Sequence, residues 1–221
     1  MNGGLTSMAW GEIGAACLDT LAMLGGSLVL TILLGLPLGI LLFLTGPGQV
    51  WASRIGNGLL GMIVNFLRSV PFIILLIVMI PLTLLLVGTS LGVAGAIPPL
   101  VAGAAPFFAR LVETALREVD RSTVEAVQAM GATTRDLVLR ALLPEALPAI
   151  VAGATVTAIT LVSFTAMAGV VGGGGLGDLA IRFGYQRFQT DVMVVTVALL
   201  VLLVQALQSL GDRLVRHFSH R

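Results

Sequence analysis

The chain contains no lysine: all 12 of its basic residues are arginine. That absence rules out a Walker A lysine, a Schiff-base lysine and a serine–lysine dyad. Cysteine is nearly missing as well. Cys17 stands alone, so no intramolecular disulfide forms. It does not read as a lipidation site, because no basic, apolar signal precedes it and Gly14 stands where a lipobox wants leucine. The first twenty residues lack Lys and Arg and carry Glu12 and Asp19, so no signal peptide is expected there. Histidine is limited to His217 and His220 in the C-terminal tail, with no acidic or thiol ligand set around them. A metal site is therefore not expected, and neither is a serine–histidine intramembrane protease. Charge of either sign is scarce. Charged residues are 10% of the chain, against about 25% in soluble domains.

What is present is apolar. Hydrophobic residues make up 57% of the 221, and the mean hydropathy is +1.05. A water-soluble chain of this length cannot hide that much apolar surface, so lipid is the expected solvent. A net charge of +1 implies no nucleic-acid partner.

Five apolar spans are expected, at about 20–44, 62–87, 92–110, 147–171 and 192–210. Together they are expected to form a single transmembrane domain over 1–221. The first contains Gly35 and Gly39, small residues four apart that let another helix approach closely, and Pro37, which bends it. The second is interrupted by Arg68-Ser69-Val70-Pro71. Ser69 is read as an N-cap with Pro71 in the first helical turn, which puts Arg68 near the cytosolic interface. The alternative seats Arg68 deep in the bilayer, where an arginine is costly and functional. Pro81 then kinks or ends the helix. The third span carries Pro98, Pro99 and Pro106 and is expected to be broken or bent. Gly172 to Gly177 formally matches G-x-G-x-x-G, but it follows a membrane helix rather than a strand. A flexible outer turn is expected there.

Arginine placement orients the spans. Arg54, Arg68, Arg110, Arg117, Arg121, Arg135, Arg140, Arg213, Arg216 and Arg221 fall on one side, and only Arg182 and Arg187 on the other. The expectation is an N-terminus outside, with the 111–146 loop and the C-terminus cytosolic.

That loop is organised. Ser122-Thr123-Val124-Glu125 fits a capping box. A short helix follows to Met130, and Gly131 is a good left-handed stop. A second helix begins at Thr133-Thr134-Arg135-Asp136 and is expected to end near Leu143-Pro144. Ala126, Ala129 and Met130 keep one side of the first helix low in bulk, which suits a groove on a partner. An interfacial hairpin that merely reverses the chain fits the same pattern.

Glu125-Ala126, Gly131 and Leu143-Pro144, at these spacings, resemble the EAA loop of ABC importer permeases. Val127 departs from that pattern where a second alanine is common, and Ala141 where isoleucine is common. The resemblance extends to Thr45-Gly46-Pro47-Gly48, to Arg68-Ser69-Val70-Pro71 with the Phe72 to Leu76 run, and to Ile80-Pro81. It continues through Gly103-Ala104-Ala105-Pro106-Phe107, Leu142-Leu143-Pro144-Glu145 and Gly211-Asp212-Arg213. These stretches are similar to methionine importer permeases, over roughly Thr20 to Arg221.

The resemblance implies an all-α integral membrane protein of type I ABC importer permease architecture, residing in the bacterial inner membrane. It implies a coupling site of Ser122, Glu125, Ala126, Ala129, Met130, Gly131, Ala132, Leu143 and Pro144. It implies as partners a second copy of the chain, a cytosolic ABC ATPase dimer, a periplasmic or lipid-anchored substrate-binding protein, and membrane lipid. ATP and Mg2+ would belong to the ATPase, so this chain is expected to hold no cofactor and to perform no covalent chemistry.

Ser163, Thr165 and Met167 are pathway or gate candidates on a span speckled with hydroxyls, although helix packing explains them as well. Asp178, Arg182 and Arg187, with Asp191, are candidates for docking a binding protein or are simply solvated. A permease of the same architecture for another small metabolite, or a stand-alone channel or scaffold, remains an alternative.

Overall fold

A computed structural model describes residues 10–219. His220, Arg221 and the residues before Trp10 lie outside the described residues. The described chain is helical, with no strand.

Helix α1 runs over Trp10–Leu44. At 1.5 Å per residue it is about 52 Å long, more than the ~30 Å of hydrocarbon requires. Its buried stripe includes Thr20, Met23, Ser27, Thr31, Gly35 and Gly39. The stripe packs along α5 (Gly92–Arg117), the most extensive helix pairing in the molecule. The glycines are what make this possible. A Cβ on Gly35 would sit 2.9 Å from the Ala105 carbonyl, and one on Gly39 would sit 2.6 Å from that of Ala109. The expected close approach is therefore at α5.

Helix α2 (Arg54–Ser69) is amphipathic and starts at Ser53, whose side chain accepts from Gly56 N–H. Ser69 does not cap the following helix. It ends α2, and its hydroxyl donates to the Asn65 carbonyl (2.8 Å). Pro71 occupies the N-cap position of α3 (Phe72–Val78). The axes of α2 and α3 differ by 102°. Proline excludes its predecessor from helical geometry, so Val70 is the corner. Helix α4 (Ile80–Val87) follows the joint at Met79, and Pro81 lies in its first turn, where a missing N–H costs nothing. Gly88, at φ 75°, ends it.

Of the two forms expected of the third span, the broken one is not found. Despite Pro98, Pro99 and Pro106, α5 is one unbroken helix over Gly92–Arg117. Pro99 and Pro106 are buried, and packing against α1 holds the helix through the carbonyls that proline leaves unbonded.

Helix α6 (Arg121–Ala129) and the single turn α7 (Thr134–Asp136) form the polar hairpin. A π-helical stretch, Leu137–Leu142, then leads straight into α8 (Leu143–Val170). Leu143-Pro144 therefore does not end the second hairpin helix. The apolar, helical run is continuous over 134–170. Pro144 lacks an N–H, and the i→i−5 bonding just upstream (Leu143 N–H to Val138 O) shifts the ladder so that proline falls in the first turn of α8.

The far end is also more ordered than a flexible turn. Four successive glycines reverse the chain after α8, and α9 (Gly175–Leu179) folds back against α8 and α1. Gly175 has φ 81°, and Leu176 N–H donates to the buried Thr20 hydroxyl (2.9 Å). Gly177 lies so close to the Ala166 backbone that any Cβ would collide with it. A second π-helical stretch, Ala180–Tyr185, leads to α10 (Thr190–Phe218).

Among the described residues, four helices are long and apolar enough to cross a membrane, and there are five spans if the bent α2–α3 pair counts as one.

Candidate functional site

Asp120, not Ser122, caps α6. Its carboxylate accepts from Ser122 N–H at 2.8 Å, and that hydrogen bond holds its pKa below the ordinary 3.8. The expected capping box is not formed, and the cap lies two residues earlier. A carboxylate at the positive end of the helix adds a charge term that serine lacks. Glu125 is left free of capping and pairs with Arg121 at 2.9 Å on an exposed surface, a contact of little energetic weight.

The helix has two faces. Val124 and Val127 pack inward on the cluster of Leu137, Val138, Ala141 and Leu142. Ser122, Glu125, Ala126, Ala129 and Met130 all face outward, at intervals of three and four, one helical stripe. Met130 is 78% exposed. The stripe has small residues in its middle and a flexible thioether at its end. Both departures from the EAA pattern, Val127 and Ala141, lie on the inward side, where added or lost carbon affects packing and not the outward surface.

Gly131 stops the helix at φ 76°, as its sequence context predicts, and its N–H reaches the Gln128 carbonyl (2.9 Å). Ala132 is half-buried behind it. Thr133 caps α7: its hydroxyl oxygen accepts from Asp136 N–H and its proton goes to the Asp136 carboxylate (2.6 Å). That bond lowers the Asp136 pKa, with Arg140 assisting. Leu143 packs on the same cluster as Val127, whereas Pro144 is exposed.

The pathway candidates divide. Ser163 and Met167 are exposed on α8. With Val170, Ile181, Val201 and Gln205 they line an apolar groove of about 540 Å3 between α8 and α10. Thr165 is turned away from them: it is buried, and its hydroxyl donates to the Val162 carbonyl (2.7 Å). At the far end Asp178 pairs with Arg182 (2.6 Å). Arg182 and Arg187 both lie over the Phe183 ring, at 5.0 and 4.5 Å. Tyr185 and Phe188 beside them are exposed.

Two features escaped the sequence reading. Glu113 is buried within α5, accepting from Arg110 (2.6 Å) and Arg117 (2.7 Å). Arg110 extends to Gly61 O (3.3 Å) and Asn65 Oδ1 (3.1 Å), tying α2 to α5. The Arg-x-x-Glu-x-x-x-Arg spacing on an apolar helix was the available signal; Arg110 and Arg117 had entered only the charge count. The second is the contact Arg68 makes: its guanidinium lies over Phe107, 5.8 Å from the ring centroid. Phe107 lies three residues before Arg110 on α5, and Asn65, one turn before Arg68 on α2, accepts from Arg110 (3.1 Å).

The described residues thus form an all-helical bundle with four helices, or five if the bent pair is one span, long and apolar enough to cross a membrane, and an outward-facing hairpin at its arginine-rich end: the architecture of a multi-pass membrane protein. Over residues 32–221 the sequence matches the family of binding-protein-dependent transport system inner membrane components, and the chain belongs to it. It is 52% identical to the probable D-methionine transport system permease protein of Vibrio cholerae, covering 85% of this chain and 84% of that one. It is 46% identical to the methionine import system permease protein of Bacillus subtilis, covering 82% of each. In structure it is similar to a chain of the MetNI methionine ABC transporter in an inward-facing conformation. There the TM-score is 0.95 at 46% identity, over 96% of this chain and 100% of the other.

Proposed function

We propose that this chain is the permease subunit of an ABC importer for methionine, working by alternating access. The reading is carried by the outward stripe of Ser122, Glu125, Ala126, Ala129 and Met130 on α6, braced from behind by Val124 and Val127. A short helix braced on one face and open on the other is a rigid knob. A knob transmits force only if its socket moves, and the socket belongs to a cytosolic ATPase dimer that binds ATP and Mg2+. A second copy of this chain completes the pathway, a substrate-binding protein delivers the solute from outside, and lipid surrounds the assembly. The N-terminus is external and the C-terminus cytosolic.

When the ATPases close on ATP, their clefts carry the two α6 helices inward. α7 runs without a break into α8, so displacement of the hairpin passes directly into a membrane-crossing helix. The permease shifts state only to the extent that the ATPase grips its two conformations differently. The groove beside Ser163 and Met167 offers an apolar, polarizable wall for a thioether, and Thr165 supports that wall from within α8. Asp178, Arg182 and Arg187, stacked on Phe183, form the external docking patch for the binding protein.

The test is uptake of labelled methionine by the reconstituted importer. Gly131→Pro cannot adopt φ 76°, and Glu125→Arg sets a like charge against Arg121. Both variants remain in the membrane and lose ATP-driven uptake. Normal uptake in either one sinks the coupling role. Competition by unlabelled amino acids and small metabolites checks the substrate.

A further inference from the structure

Arg68 is an arginine with nothing to pair with. Among the described residues its guanidinium forms no ion pair and no hydrogen bond, and its one contact of note is the face of Phe107. Its position makes this unusual. It lines a cavity of about 150 Å3 with Phe72, Gly103, Phe107, Thr160 and Phe164. The Arg68 side chain is exposed in the single chain, so its guanidinium is open to a ligand that reaches the cavity. It also sits on the last turn of α2, beside the Val70-Pro71 corner where the chain turns by 102°. Irregular backbone at membrane depth faces protein or a water-filled cavity, never lipid. The corner borders this cavity through Val70 and Phe72.

The walls are specific. Phe72 and Phe164 stack in parallel, 4.1 Å between centroids. Gly103 makes room for that stack, since a Cβ there would lie 3.3 Å from the Phe72 ring. Thr160 commits its proton to the Val156 carbonyl (2.9 Å), which leaves its oxygen as an acceptor. The cavity thus combines a cation, a lone pair and aromatic faces. Drug-sized ligands need roughly 300–1,000 Å3, so this one suits a compact solute.

We propose that Arg68 and this cavity form a binding site for the transported amino acid. The carboxylate lies on the guanidinium, the ammonium on Thr160 Oγ1 and the apolar side chain against the phenylalanines. The site rests on the reading of this chain as a methionine permease and names where in the permease the solute pauses. Charge-assisted hydrogen bonding to the carboxylate sets the preference.

The experiment compares binding of labelled methionine and labelled methioninamide by the purified permease–ATPase complex with no binding protein present. The parental complex prefers the acid by about ten-fold or more, the worth of one such charged contact. Arg68→Gln loses that preference while still co-purifying with the ATPase, and Arg68→Lys keeps most of it. Equal binding of acid and amide by the parental complex overturns the site, a result that needs no variant to fold. An undiminished preference in Arg68→Gln overturns it too, as does displacement of neither probe by the other while phosphatidylglycerol displaces both. Uptake by the intact importer is run in parallel. An importer that carries no methionine removes the functional reading. One that carries methionine yet binds acid and amide equally removes only the Arg68 site.

Discussion

Removing the Glu113 carboxylate would leave the guanidinium groups of Arg110 and Arg117 without their shared acceptor inside α5. The side chain of Glu113 is 6% exposed, while those of its partners are 26% and 52% exposed. Breaking a buried pair costs about 3–5 kcal/mol, and the open arginine ends bring this case toward the lower figure or below it. Glu113→Ala is therefore expected to lower the thermal midpoint of the purified complex more than Arg121→Ala, which breaks only the exposed pair with Glu125. Equal midpoints would show that Glu113 braces nothing. Asp120 and Asp136 set a pH limit. Both carboxylates are held below 3.8 in the folded loop, so their stabilisation is complete above that value and is lost as pH falls through the depressed one. A spin label at Gln128 should keep one mobility from about pH 8 to 5 and loosen only below about pH 4. Loosening near neutral pH would contradict this cap. Gly131 was legible as a helix stop because only glycine takes its conformation cheaply. The choice of Asp120 over Ser122 was not, since both residue types are good caps.

The pairing of α1 with α5 depends on two glycines. Gly39→Leu places a side chain against the Ala109 carbonyl and Val112. Overpacking of this kind costs about 1–3 kcal/mol, and backbone contact puts it at the upper end. Reduced membrane yield and a lower midpoint are expected, with little change for Gly25→Leu, where a Cβ meets nothing within 4 Å. Comparable behaviour of the two variants would show that the seam tolerates separation. The small-residue spacing announced this seam, but not its partner. Helix ends were less legible. Three prolines suggested a broken α5 and one suggested the end of α7, yet α5 is continuous and α7 passes into α8. Proline costs a helix little where packing or a π-turn makes good the lost bond, and neither can be read from local sequence.

For the molecule as a whole, the direction of insertion carries the coupling argument. With Cys17 replaced by serine, a cysteine introduced at Ala129 should react with a membrane-impermeant maleimide only in inside-out vesicles. One introduced at Tyr185, which is 70% exposed, should react from the outside. The reverse pattern would detach α6 from any ATPase. The α2–α3 corner completes the picture. The sequence places a break at Val70-Pro71, but nothing local predicts a turn of 102° or the contact between Arg68 and Phe107.

Composition and run length sufficed to put this chain in lipid, because apolar area and the reach of a helix are additive along the chain. The arginine bias and the EAA spacing sufficed to mark the hairpin, because both are local patterns. Burial, pairing and partnership are not local. Which aromatic face Arg68 meets, whether Glu113 is buried, and which face of α6 is left open were decided only when helices distant in sequence packed together.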